Sequence, residues 1–288
     1  MEFKDIKDVL TMAAFRPEAD NSRFPWSKRF PGKKSVIVNV GRGQVKWGFL
    51  DKKGKVANEG VADGEFMDVA SQMASEWRSQ SDDGWIGVSL NNRFIISLEH
   101  NLSRTQGWED TIRNNPKSLL GTKHDRTKRY ALHHNPETSA SLVMACDDSL
   151  IKSVEESMRS HNLRAARVCC GLFAMTGHLL NRINTDATFK KQELIVVTWC
   201  DGSLCVLCQK NGQWQELRSR SGLAPGDSSA VQQMLRPYID GASPETQVVF
   251  MGESAENEFK QNYFDMLGNL HVTDVTEPHQ LWSVLGNY

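Results

Sequence analysis

No apolar run in this 288-residue chain approaches the roughly 18–20 residues that a membrane helix needs. The polar start, MEFKDIKD, has no signal-peptide core. The chain is therefore expected to be soluble and not exported by that route. Charge of one sign is also missing: the formal net charge is −1, so the overall field favours neither nucleic acid nor acidic lipid. Cysteine is present but sparse. Cys146, Cys169, Cys170, Cys200, Cys205 and Cys208 mostly sit inside apolar segments, which reads as buried, reduced thiol in a cytosol and not as a disulfide framework. Cys205-x-x-Cys208 has no second pair, and positions three apart on a strand face opposite sides, so it makes a poor zinc site. His133-His134 has no third ligand at metal spacing, and Ser89 and Ser97 have no Gly-x-Ser-x-Gly elbow around them. Hydrolase and metal chemistry have no support.

What is there is repetition. Residues 35–40, 44–50 and 55–60 are short apolar runs separated by Gly41-Arg42-Gly43 and Lys52-Lys53-Gly54, followed by a helical stretch, 65–78, and another apolar run, 85–90. The order recurs at 194–199, 203–209 and 214–218, joined by Asp201-Gly202 and Asn211-Gly212, then a helical stretch and the run 247–251. Asp-Gly and Asn-Gly between β-rich runs signal tight hairpins, because both central residues of the turn need positive φ.

Around these two blocks lie less regular parts. Residues 1–34 carry Pro25, Pro31 and an excess of basic over acidic side chains, and read as an arm; Phe3, Ile6, Val9, Leu10 and Ala13 have helical spacing within 1–15. The stretch 103–129 is polar, basic and rich in turn formers; Lys117, Lys123, Arg126, Lys128 and Arg129 give it a charge that acidic lipid or an acidic partner could meet, although a solvated loop explains it as well. Strands are expected at 130–133, 140–146 and 165–170, and helices at 149–161 and 172–183. Asp147 or Asp148 suits the cap of the first helix and Asn162 its stop. The last quarter reads strand, helix (254–264), strand (270–273), helix (278–285). Trp85, Trp199, Trp214 and Trp282 read as core or hairpin aromatics, Trp47 and Trp108 as candidate exposed anchors. This alternation makes the class α/β with mixed sheets.

A meander of three strands followed by helix and strand, occurring twice, resembles the duplicated RNase H-like core of the actin-like ATPases. The middle of the chain is similar to the PilM family and to the cytoplasmic part of GspL: a strand at 142–146, a helix at 149–161, Asn162-Leu163, a strand at 166–169, then a helix opening at Phe173-Ala174. The resemblance covers about residues 35–288 and implies a two-lobed fold, with an N-terminal arm (1–34), a first lobe (35–184) and a second (185–288). It also implies where nucleotide chemistry would sit. In a working member each hairpin carries Asp-x-Gly, whose turn amides hold phosphate while the carboxylate organises a hydrated Mg²⁺.

Here Asn39 stands where the first aspartate is expected, with Gly41, Gly43 and Lys46 around it, and Thr198 and Cys200 stand in the second motif beside Asp201 and Gly202. The adenosine loop is reduced to Gly252. These positions would form a vestigial nucleotide cleft, with Gly41 and Gly202 facing each other across it. Tight turns and a solvent-facing strand lysine explain the same positions more simply. No catalytic residue, metal site or required cofactor is expected, and ATP with Mg²⁺ is doubtful. The function implied is a non-enzymatic scaffold of a bacterial type IV pilus or type II secretion-like platform. It would bind the cytoplasmic tail of an inner-membrane PilN-like or GspM-like protein, at Phe94, Ile96, Leu98, Leu142 and Met144. It would be cytoplasmic and peripheral to the membrane through that partner, and could self-associate. The alternatives are an active ATPase or sugar-kinase-like phosphotransferase of this superfamily, or an RNase H-like nuclease, all of which need carboxylates on the strands where Asn39 and Thr198 stand.

Overall fold

In the computed structural model the residues described are 14–15, 34–81, 84–101, 115–134, 140–189, 193–210, 213–224 and 226–287. They divide into two compact units, one holding Leu172–Leu281, the other the described residues up to Gly171 together with those from Trp282 on.

The unit that ends at Gly171 is built on a six-stranded sheet. A two-residue strand, β1 (Ala14–Phe15), is followed by the meander β2 (Val36–Val40), β3 (Gln44–Leu50) and β4 (Val56–Asp63), then helix α1 (Phe66–Gln80) and β5 (Trp85–Leu90). An insertion follows: β6 (Ile96–Asn101), a short helix α2 (Pro116–Leu120), β7 (Lys128–His134) and β8 (Ala140–Asp147) form an antiparallel sheet in the order β6-β8-β7. Helix α3 (Asp148–Ser160) and β9 (Arg164–Cys170) complete the main sheet, ordered β1-β9-β5-β2-β3-β4 with β2, β5 and β9 parallel.

The Leu172–Leu281 unit repeats the pattern. After helix α4 (Gly171–Thr185) come β10 (Leu194–Cys200), β11 (Ser203–Lys210) and β12 (Gln213–Arg220), then α5 (Ser228–Ile239), β13 (Gln247–Gly252), α6 (Glu258–Asn262) and β14 (His271–Asp274); the last helix, α7 (Gln280–Asn287), starts in this unit and belongs to the other from Trp282 on. The sheet order is β12-β11-β10-β13-β14, with β10, β13 and β14 parallel. Strands β2, β3, β4, β5 and β9 therefore correspond one for one to β10, β11, β12, β13 and β14. The expected duplication is present, and so is the α/β class with mixed sheets.

Local sequence explains the frame. The central strands β2 and β10 are buried along their whole length, as strands covered on both faces must be. Helix α1 buries Phe66, Val69, Ala70, Ala74 and Trp77, a helical stripe whose Trp77 meets Trp47 edge-on at 5.9 Å. Trp47 is thus a core residue and not a surface anchor; Trp108 lies outside the described residues. Helix α3 stops on Asn162, at φ 59, with Leu163 N–H donating to Met158 O and Asn162 N–H to Arg159 O. This pair of bonds satisfies the last carbonyls of the helix. In the Leu172–Leu281 unit, Trp199, Phe250, Phe259 and Tyr263 form the aromatic centre, Phe250 and Phe259 stacking at 5.0 Å.

Several local expectations change. Neither Asp147 nor Asp148 caps α3 through its side chain. Asp147 instead holds Lys128 at 2.5 Å, and Asp148 takes Lys152 at 2.7 Å and the Nε of Arg129. An ion pair with a neighbouring strand outcompetes the local cap. The helix expected over 254–264 begins only at Glu258, because Asn257 accepts the Lys260 N–H and fixes the start there. Ala14 and Phe15 are not helical: they pair with Cys169 and Val168 and add an edge to the main sheet. The rest of the expected arm helix, and the Asn211-Gly212 turn, lie outside the described residues.

Candidate functional site

The two hairpins can be compared atom by atom, each within its own unit. In the first, Asn39 pairs with Lys46 and Val40 with Val45, while Gly41 N–H donates to Gln44 O at 2.9 Å, leaving Arg42-Gly43 at the tip. In the second, Thr198 pairs with Cys205 and Cys200 with Ser203, leaving Asp201-Gly202. The turn glycine plays the same part in both: Gly43 O accepts the Gly64 N–H and Gly202 O the Leu223 N–H, each at 2.9 Å. Asn39 therefore corresponds to Thr198, Gly41 to Cys200 and Gly43 to Gly202, as their spacing in the sequence suggests. Asp201 and Gly202 have φ 47 and 65, the left-handed pair that a two-residue hairpin requires.

Around Asn39 the strand register sets Lys46, Asn39, Ser89 and Cys169 side by side across β3, β2, β5 and β9. Asn39 is 2 % exposed and Thr198 0 %. One offers an amide and the other a hydroxyl; neither brings the negative charge that a hydrated divalent cation is held by. Among the described residues no group of three or more His, Cys, Asp or Glu side chains is arranged to hold a metal.

Beside the second turn, Gly252 ends β13 opposite Trp199. Its N–H donates to Thr276 Oγ1 at 2.8 Å, and a methyl group on its Cα would lie 2.2 Å from Asn257 Nδ2. That amide in turn donates to Ser254 O at 2.9 Å. The loop is thus filled by its own side chain, and glycine is required there by Asn257. The next residue, Glu253, reaches the turn: its carboxylate accepts the backbone N–H of Asp201, while its carbonyl accepts the Leu281 N–H at the start of α7 at 3.0 Å. Glu253 lies 52 residues from Asp201, and no local pattern marks it.

The candidate partner residues separate. Phe94 lies under the Arg42 guanidinium, 5.7 Å from its ring centroid, so it sits at the tip of the first hairpin. Ile96 opens β6, an edge strand, and is 46 % exposed; Met144 on β8 is fully buried. Ile96 pairs with Ala145 and Met144 with Ser97, so the two occupy opposite faces of the small sheet. By backbone register position 98 shares the parity of Ile96, and position 142 that of Met144. Ile96 and Met144 do not share one surface.

No protein-family model matches the chain, and no curated protein matches it in sequence. Solved structures do match. The PilM–PilN type IV pilus biogenesis complex aligns at TM-score 0.60 and 10% identity, over 89% of this chain and 98% of that one. The cytoplasmic domain of EpsL, an inner-membrane component of the type II secretion system of Vibrio cholerae, aligns at 0.53 and 10%, over 88% and 93%. A Bacteroides thetaiotaomicron protein of unknown function with an actin-like ATPase fold aligns at 0.53 and 9%, over 92% and 99%. With its duplicated five-stranded pattern, the chain has the actin-like ATPase fold, the fold also seen in PilM and in the cytoplasmic domain of EpsL.

Proposed function

We propose that this protein is a non-enzymatic scaffold of a pilus or secretion-type assembly platform, acting through a peptide contact with an inner-membrane protein. The observation that carries the proposal is the pair Asn39 and Thr198. Equivalent by register and buried at the two positions where this fold's enzymes need a carboxylate, they leave neither hairpin with a charged metal organiser. The self-filled loop at Gly252 and the Glu253 carboxylate on the Asp201 amide argue the same way. Gly41, Gly43, Lys46, Asp201, Gly202 and Gly252 then serve as turn and strand residues. The type of platform is suggested by EpsL and by PilM in its complex with PilN, which share the fold.

No described helix is long and apolar enough to cross a membrane. The proposal gives the membrane attachment to the partner, whose cytoplasmic peptide adds to the β6 edge beside Ile96 and Phe94. Strand addition takes affinity from backbone hydrogen bonds and specificity from a few side-chain anchors. Two measurements test this reading. Purified protein with ATP and Mg²⁺ is expected to show no turnover above background; turnover lost on Asp201→Ala would make Asp201 a displaced catalytic carboxylate and end the scaffold reading. In co-purification with a PilN-like inner-membrane protein, Ile96→Asp is expected to abolish capture while the variant keeps wild-type stability. Unchanged capture would remove the β6 edge from the contact.

A further inference from the structure

Strand β4 is the outermost strand of its sheet, and among the described residues no strand pairs with its outer side. Its register shows which main-chain groups lie there. Gly64 N–H donates to Gly43 O, and Gly60 and Ala62 pair with Trp47 and Val45. Main-chain groups alternate sides along a strand, so those of Gly60, Ala62 and Gly64 turn to β3 and those of Glu59, Val61 and Asp63 turn outward. The Glu59 N–H is met by its neighbour's side chain, Asn58 Oδ1 at 2.9 Å, an exposed local bond that a strand carbonyl can replace. Natural edges are commonly guarded by lysine, proline or a bulge. Residues 58–63 carry no lysine or proline, and the register shift of this strand pair lies further back, at Phe49/Leu50. Two large apolar side chains stand exposed here instead. Val61 and, in the first turn of α1, Met67 are each 58 % exposed, a condition shared among the described residues by Ile96 on β6.

We propose that β4 is a self-association edge whose partner is β4 of a second copy of this chain, antiparallel about a two-fold axis through Gly60. Charge decides the occupant. Lys52, Lys53 and Lys55 precede the strand, Asp63 ends it, and Glu65 and Asp68 follow, all of them exposed. Antiparallel pairing with its own copy sets the basic start of each strand against the acidic end of the other. A two-fold axis perpendicular to the sheet keeps every side chain on its face, so each residue meets one of the same parity. Centred on Gly60, the pairing sets Lys55 opposite Glu65, Ala57 opposite Asp63 and Glu59 opposite Val61, and no acid faces its own copy. Centred on Glu59, it would set two carboxylates directly opposite, which destabilises a strand pair. In the Gly60 register the outward groups of Glu59 and Val61 exchange both bonds with Val61 and Glu59 of the second copy. The axis then falls on a non-hydrogen-bonded pair, where Cα atoms approach to about 4.5 Å, and glycine brings no side chain to that approach. Glu59 is kept on the face of the sheet, where its carboxylate accepts from Trp282 Nε1 at 2.8 Å.

This inference does not rest on the scaffold reading, which uses the β6 edge. One strand pair with two apolar side chains is small beside the roughly 800 Å² per partner of a standard interface, so the dimer is weak. Sedimentation velocity of the full chain, from about 1 μM to about 1 mM, is expected to show the average mass rising from monomer toward dimer. Val61→Pro deletes an outward N–H and leaves the bonds to β3 in place, a substitution that edge strands accept. It is expected to stay monomeric and to keep the wild-type melting temperature. Lys55→Glu and Glu65→Lys change exposed side chains and are each expected to weaken the dimer about tenfold, and together to restore it. The two side chains lie roughly 30 Å apart along the strand, at about 3.3 Å per residue, so that rescue comes only from a second copy. A wild type that stays monomeric throughout, or a folded Val61→Pro chain that dimerises as wild type does, would overturn the proposal. A double charge reversal as weak as the single variants would overturn the two-fold register. Ile96→Asp is expected to dimerise normally. Loss of the dimer in that variant would move the contact to β6, whereas loss of partner capture alone leaves the β4 dimer standing.

Discussion

At the residue scale, Gly252 and Asn257 show how a position that resembles a ligand loop can be a packing constraint. The side chain of Asn257, 4 % exposed, caps α6 with its oxygen and closes the loop with its nitrogen, and it occupies the space that a Cβ on residue 252 would take. Gly252→Ala is therefore expected to cost about 1–3 kcal/mol, as overpacking of a closed site does. The cost should shrink in the background of Asn257→Gly, which removes the clashing amide. Chemical denaturation of the four variants of this cycle measures the coupling; additive effects would mean that the two side chains do not compete for one volume. The same scale shows what the sequence made legible. Asp201-Gly202 and Asn162 were readable because their chemistry is local: positive φ is cheap for glycine, asparagine and aspartate and costly for most others. Glu253 was not, because a carboxylate meeting an amide 52 residues away leaves no pattern in either neighbourhood.

At the scale of elements, the inserted sheet is fastened to α3 by charge. Arg129 on β7 meets both oxygens of Glu155, at 3.0 and 3.2 Å, and its Nε donates to Asp148; Arg129 and Glu155 are 11% and 7% exposed. Burial opposes the charge on Arg129, but the hydrogen bonds it donates to Glu155 and Asp148 outweigh this and raise its pKa. Burial likewise works against ionisation of Asp148, and the bonds from Lys152 and Arg129 prevail and lower its pKa below the usual 3.8. A carboxyl with a depressed folded pKa stabilises above its unfolded value and loses that contribution as pH falls through the folded one. The fastening should accordingly be intact at neutral pH and weaken only below about pH 4. Arg129→Ala leaves Glu155 buried without its main partner and is expected to cost about 3–5 kcal/mol, whereas Arg129→Met with Glu155→Leu should cost far less. Urea unfolding at pH 7 distinguishes them; equal losses would show that packing and not charge holds the sheet. From sequence alone, Lys128 and Arg129 read as part of a basic stretch, a solvated loop or a surface for an acidic partner, and Asp147 or Asp148 as a helix cap. Periodicity placed β7, β8 and α3 within a residue or two, but which charges would pair across them depends on tertiary contact.

At the scale of the whole molecule, the repeated meander was the most legible feature, since its apolar runs and turns recur in order; the proposed partner surface was the least. The proposed function admits two routes to a membrane: a peptide-like contact with a membrane protein, and direct attraction of the basic segment to acidic lipid. The structure weakens the second, because Lys128 and Arg129 are already neutralised by Asp147, Asp148 and Glu155, leaving Lys117, Lys123 and Arg126 as the exposed described cations of that stretch. Attraction of roughly 1 kcal/mol per basic residue near an acidic surface would then be modest, and screened once the Debye length falls to about 3 Å at 1 M salt. A strand-addition contact anchored by Ile96 relies on backbone bonds and apolar burial, which moderate salt leaves largely intact. Under the proposed function, membrane flotation of the purified protein is expected to succeed only with a PilN-like inner-membrane protein present, at low and high salt alike, and to fail for Ile96→Asp. Flotation on acidic vesicles alone, abolished by salt and by Lys117→Ala with Lys123→Ala, would instead make the basic segment the membrane contact and sink the peptide route.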